Sequence, residues 1–317
     1  MSKVWKVFGI IGMVITGLAV TAGVLVAVIA SIGNKPFVPD GYELSVKTGG
    51  DIEAKYLKYG EYDTSYKEYP VLQDFSKYEI YYPSELENSN KTYPMVIVCN
   101  GSGLPASKYT NLFKHLASWG FVVVGTEETY SWNGMTAEVC SRYMIDLNNK
   151  EEVLVGDKYE KSPFYHKIDL ENVGITGHSQ GGVGVFNTIT VQEHASLFKT
   201  AVALSPTKFE LADNLYWHYD VSSITVPTFM LCGTEENAYI DPTTLKEIYD
   251  AFPSDTPRLM ATRDNAEHND MLYFSDGYVT AWFMWQLKND ANASSAFVGD
   301  NAEILNNPLY KNQNKTI

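Results

Sequence analysis

The stretch NVGITGHSQGGVGVFN, residues 172–187, reads as an apolar strand that runs into a serine between glycines and continues as a small-residue helix. Gly177-His178-Ser179-Gln180-Gly181 fits the pattern G-x-S-x-G. About one chain of this length in ten carries that pattern by chance, so the five residues alone decide little. Their setting decides more, because strand, turn and helix occur in the order that lifts a serine hydroxyl above the end of a sheet. Glycines on both sides suit a strained turn, where side chains would collide. The competing reading is a glycine-rich helix entry without chemistry, with Gly182 closing the helix onto the strand.

Working outward, the same alternation of strand and helix continues. KYEIYYPSE (77–85), YPMVIVCNG (93–101), FVVVGTEE (121–128), KTAVALSP (199–206), VPTFMLCG (226–233) and PRLMATR (257–263) read as strands. Between and after them, ASKYTNLFKHLASWG (106–120), residues 136–148, the stretch from Gln180, PTTLKEIYDAF (242–252) and the amphipathic GYVTAWFMWQLKND (277–290) read as helices. Strands this continuously apolar are covered on both faces, which predicts an α/β fold with a mostly parallel central sheet between helices. Residues 77–300 form that domain, 301–317 a C-terminal tail, and 36–76 an irregular, tyrosine-rich lead-in. A ligand site is expected beyond the carboxyl ends of the strands.

A serine hydroxyl needs a base, and on this architecture the chain order is serine, acid, histidine. After the 226–233 strand one histidine remains, His268 in RDNAEHNDM, just past the last predicted strand. His178 neighbours Ser179, but its side chain is expected to point away and pack beneath the turn. The acid should follow Gly233, where Glu235, Glu236 and Asp241 compete; Glu236 is preferred for its place three residues after that glycine. Backbone donors for an oxyanion are expected at Gln180, directly after the nucleophile, and at Ser102 in the loop NGSGLPAS (100–107).

Composition narrows the partners. Hydrophobic residues make up 45% and charged residues 20% of 317, a globular balance. Residues 7–32 contain no charge and are preceded by Lys3 and Lys6. As a helix that run would be roughly 39 Å long, enough to span a bilayer. It reads as a transmembrane anchor (1–35) with the domain outside the cytoplasm; a signal peptide cut after Ala30 is the alternative. All 38 acidic residues and 22 of the 24 basic ones follow the run, a formal charge of about −16, which disfavours nucleic acid as a partner. Cys99, Cys140 and Cys232 are too few and too widely spaced for a disulfide framework or a zinc site.

The segments YYPSE, YPMVIVCNGSG, GITGHSQGG, VPTFMLCGTEEN and YVTAWFMWQLKND, with the single late histidine, resemble the cutinase-like, polyester-hydrolysing branch of the α/β-hydrolases, near the dienelactone hydrolases. The resemblance covers about residues 77–300. It implies a serine carboxylic-ester hydrolase that works through a Ser179-His268-Glu236 triad and an acyl-enzyme, without metal or organic cofactor. The implied substrate is a small-molecule or lipid-like ester. An acyltransferase using the same residues, or a non-catalytic binding protein, would be the alternative. Three departures stand out. Gln180 replaces the methionine usual after the nucleophile, placing a polar group beside the acyl site. Glutamate replaces the usual aspartate. LSPTKF lacks the usual tryptophan, for which Trp217 or Tyr216 in the inserted KFELADNLYWHYD could substitute.

Overall fold

The computed structural model describes residues 36–70 and 77–317. The uncharged run read as a membrane anchor lies outside the described residues, and among these no helix is long and apolar enough to cross a membrane. Residues 38–317 form one compact unit. Its main sheet has nine strands: β1 (Thr64–Pro70), β2 (Lys77–Pro83), β3 (Tyr93–Cys99), β4 (Val122–Thr126), β7 (Ile168–His178), β8 (Phe198–Leu204), β9 (Thr228–Gly233), β10 (Arg258–Arg263) and β11 (Tyr310–Lys315). The order is β1-β2-β4-β3-β7-β8-β9-β10-β11. A separate hairpin, β5 (Glu152–Val155) and β6 (Lys158–Lys161), was not expected from the apolar pattern, half of its strand residues being charged and most of them exposed.

From β4 to β10 neighbouring strands are parallel, whereas β1, β2 and β11 make antiparallel edge pairings. This mixed sheet with flanking helices fits an α/β-hydrolase. Val96, Ile97, Val173, Ile175, Ala201 and Val202 on its three central strands are fully buried, as residues must be when helices cover both faces. β7 lies at the centre, so the serine that follows it is held by strands on both sides.

Both flanking segments turn out to be structured. Residues 36–76, expected to be irregular, contain the helix Asp51–Leu57 and the edge strand β1; Tyr56 and Tyr69 are buried rather than displayed. The tail 301–317 supplies the helix Glu303–Asn306 and the opposite edge, β11. These additions alter the last long helix, Asp276–Lys288, which is buried almost all round instead of one-sided. Gly277 permits the crossing, since a Cβ there would lie 2.5 Å from the Glu53 carbonyl oxygen. Inside, Trp282 donates to Thr200 Oγ1 at 2.7 Å and stacks on Phe229.

One buried ion pair ties the lead-in to the domain. On the helix Thr110–Ser118, His115 Nδ1 lies 2.8 Å from Asp276 Oδ2 and its Nε2 lies 2.9 Å from the Lys58 carbonyl oxygen. Tyr42 donates to the same Asp276 oxygen. Both ring nitrogens face acceptors, so both carry protons. Burial opposes the charge, but the Asp276 carboxylate outweighs it and holds His115 above the usual histidine range. A raised folded pKa means that the pair contributes fully below about pH 6.5 and loses its contribution as pH rises through the raised value. His115→Gln is therefore expected to cost about 3–5 kcal/mol at acid pH, where it leaves Asp276 buried with Tyr42 but without its cationic partner. Urea denaturation of both proteins from pH 5 to 9 checks this, and the difference should narrow as pH rises.

Candidate active site

Ser179 occupies the turn between β7 and the helix Gln180–Val191, with φ 59° and ψ −121°. That region is costly for any residue with a side chain, so the surroundings must hold it there. The Ser179 N–H donates to the Leu204 carbonyl at 2.9 Å, and the Ser179 carbonyl accepts from Gly182 N–H at 2.9 Å. A Cβ on Gly177 would sit 2.3 Å from the Gly181 oxygen, and one on Gly181 would sit 2.2 Å from the Cys99 oxygen. Both glycines are thus required by backbone that cannot move aside, because it belongs to the central sheet and the helix entry.

His268 lies on the loop after β10 and lines, with Ser179, a cleft of about 250 Å³ beyond the carboxyl ends of the strands. Its Nδ1–H donates to Glu236 Oε2 at 2.6 Å, which leaves Nε2 as the ring atom able to accept a proton. Of the three competing carboxylates, Glu236 is the one that meets His268. Asp241 instead caps the helix Pro242–Asp250 by accepting from Thr243 and Thr244 N–H, and Glu235 is exposed, 3.3 Å from the Thr234 hydroxyl.

The Glu236 carboxylate is buried and needs partners for its other oxygen. Oε1 accepts from Ser205 Oγ–H at 2.7 Å and from Gly233 N–H at 2.6 Å. Ser205 escaped the sequence reading. It directly follows β8, 31 residues from Glu236, and only the parallel pairing of β8 with β9 brings the two together. Its own backbone is left-handed, φ 44°. A serine just past a strand that neighbours the acid's strand was the available signal.

His178 is buried as expected, but it does more than pack beneath the turn. Its Nε2–H donates to the His268 carbonyl at 2.8 Å, and the two rings lie 4.5 Å apart. Burial first, and the neighbouring His268 second, push His178 down to about 3, so it stays neutral.

In the loop after β3, Gly101, Gly103 and Leu104 N–H groups donate to Tyr109 Oη and to the Thr129 and Gly101 carbonyls. Among the described residues no acceptor takes the Ser102 N–H, and Ser102 lines the cleft. Gln180 opens its helix, where leading N–H groups lack intrahelical acceptors. Its side chain, however, is not beside the acyl site. It is fully buried and accepts from Ser131 N–H at 2.8 Å, because the 127–134 loop presents an otherwise unpaired donor there. Of the two aromatic candidates, Trp217 lines the cleft, whereas Tyr216 is 78% exposed. The three cysteines are buried as free thiols.

A family model described as PET hydrolase-like matches residues 47–314. Cutinase est2 of Thermobifida alba is 28% identical over 192 residues, covering 60% of this chain and 56% of that protein. The cutinase of Thermobifida fusca is 27% identical over 218 residues, 67% of this chain and 64% of its own. A bis(hydroxyethyl) terephthalate hydrolase of Streptomyces coelicolor is 27% identical over 223 residues, 70% of this chain and 64% of its own. The chain thus spans less than two thirds of the length of each of these three relatives.

The backbone clearances at the turn make a direct expectation. Gly181→Ala should destabilise the protein by about 1–3 kcal/mol or more, because the new methyl forces the helix entry off the end of β3. Chemical denaturation measures it, and an unfolding midpoint equal to wild type would contradict the geometry.

Proposed function

The chain belongs to the PET hydrolase-like family, and from that premise we propose that it is a serine carboxylic-ester hydrolase with Ser179 as nucleophile, His268 as base and Glu236 as acid. The observation that carries this reading is the unbroken chain Ser205–Glu236–His268, which ends in the cleft that Ser179 enters on its strained turn.

Ser179 Oγ attacks the ester carbonyl while its proton passes to His268 Nε2. Glu236 holds the Nδ1–H tautomer and stabilises the imidazolium that forms. Ser102 and Gln180 N–H groups receive the oxyanion, a contribution of about 2.7–4 kcal/mol per donor in acyl-transfer sites. His268 returns the proton to the departing alcohol, leaving an acyl-enzyme. Water then repeats the sequence with His268 as base, releasing the acid and restoring Ser179.

The cleft favours compact esters. About 250 Å³ falls below the roughly 300–1,000 Å³ of sites for drug-sized ligands. Leu104, Leu215 and Trp217 form apolar walls, and the backbone that carries Trp217 is held. Trp217 N–H donates to the Ala212 carbonyl at 2.8 Å, Asn187 holds the His218 carbonyl at 3.0 Å, and Tyr219 stacks between Phe209 and Phe186. Short aliphatic esters are the proposed substrates, with bis(hydroxyethyl) terephthalate, named for the Streptomyces coelicolor relative, as the aromatic case. The run 7–32 is proposed to tether the domain outside the cytoplasm.

A fluorophosphonate probe tests the chemistry. Wild type is expected to label stoichiometrically at Ser179, Ser179→Ala not at all, and His268→Ala slower by orders of magnitude. Glu236→Gln should lower kcat by about 10³–10⁴-fold with the fold intact. A folded wild type that neither labels nor turns over any short ester would refute the reading. Wall position is tested separately with p-nitrophenyl esters of increasing chain length. Trp217→Ala should raise kcat/KM for octanoate relative to acetate by about tenfold, about 1.4 kcal/mol of relieved crowding; an unchanged ratio would remove Trp217 from the substrate path.

A further inference from the structure

Two aromatic rings lie tilted against His268. The buried His178 ring is 4.5 Å away with the planes inclined by 45°, and the Tyr239 ring is 4.6 Å away with the planes inclined by 37°. Tyr239 is half-exposed and sits between Glu236 and the helix Pro242–Asp250. Its backbone is held, since its carbonyl accepts from Lys208 N–H at 2.9 Å. An aromatic face within about 6 Å of a cation attracts it through the ring quadrupole, an attraction that a neutral imidazole lacks. The two states of His268 are therefore treated differently by Tyr239.

We propose that Tyr239 is a positioning residue that stabilises the His268 imidazolium formed as Ser179 loses its proton, by presenting its ring face to the protonated ring. The proposal rests on the reading of His268 as the base. The remaining groups around the imidazole leave this role to Tyr239. Glu236 acts in the ring plane at Nδ1, and His178 is neutral and spends its N–H on the His268 carbonyl. On the histidine's own loop Glu267 is exposed, and Asp270 turns back to accept from Glu267 N–H and Tyr273 Oη–H. Ser179, the proton donor of the proposed reaction, lines the same cleft as the ring from the end of β7. Within the catalytic cycle that charge forms as the proton leaves serine, so stabilising the imidazolium stabilises the transition state.

Tyr239→Phe, which keeps the ring, and Tyr239→Leu, which removes its quadrupole, are compared with wild type in the full chain. On a short-chain p-nitrophenyl ester from pH 5 to 9, the phenylalanine variant should stay within about twofold of wild type. The leucine variant should lose about 3- to 30-fold in kcat/KM. Its acid limb should also move to lower pH by about 0.4–1.5 pH units, the direction in which a destabilised imidazolium titrates. A rate loss with an unmoved limb would overturn the proposal, since misplaced packing slows turnover without changing the titration. Equal losses in both variants would also overturn it. The His268 ring, followed by NMR in the same three proteins, should titrate at lower pH in Tyr239→Leu alone. That measurement needs no substrate, so it still decides the contact if wild type hydrolyses no ester and the underlying reading fails.

Discussion

The left-handed turn at Ser179 is the constraint from which the rest of the site follows. A residue with a side chain resists φ 59°, ψ −121°, at a cost of order 1–3 kcal/mol, and it remains there only where the surroundings over-determine it. Here β7 is clamped between β3 and β8, the Ser179 N–H is taken by the Leu204 carbonyl, and Gly177 and Gly181 remove the atoms that would collide. The same turn starts the helix Gln180–Val191, whose first N–H is the one that the proposed mechanism uses for the oxyanion. In the proposed mechanism, strain at one residue thus sets both the nucleophile and one donor.

The second requirement is a negative charge kept close to His268 yet away from water. A buried carboxylate is tolerable only when its lone pairs are occupied, and Glu236 divides them cleanly. One oxygen is taken by Ser205 and Gly233, the other by His268. The extra methylene of glutamate over aspartate is accommodated because Gly233 N–H draws the carboxylate back toward the end of β9. His178 completes the support by remaining neutral beside the ring that becomes charged in the proposed reaction. Were it cationic, it would oppose the imidazolium directly.

What the chain discloses on inspection is whatever has a local or periodic signature. The apolar runs of β3, β4, β7, β8 and β9 announce a buried parallel sheet, and the glycines around Ser179 announce the turn. His268 was singled out by position and elimination, and the structure places it in the cleft with Ser179. Other features depend on contacts that no local pattern encodes. Ser205 meets Glu236 only through strand pairing. The helix Asp276–Lys288 looks one-sided until the helix Asp51–Leu57 covers its outer face, which a glycine at 277 permits. Gln180 projects a polar side chain in sequence but in space spends it on Ser131. Strands β1 and β11 are weakly apolar because edge positions are half-solvated, so their alternation is shallow.

A crystal structure of the protein covalently phosphonylated by an alkyl fluorophosphonate tests the central claim most directly, because it locates nucleophile, base and donors at once. The account requires the phosphorus on Ser179 Oγ, the phosphoryl oxygen about 2.7–3.1 Å from the Ser102 and Gln180 nitrogens, and His268 still bonded to Glu236. An adduct on another residue, or a phosphoryl oxygen turned away from both nitrogens, would contradict it.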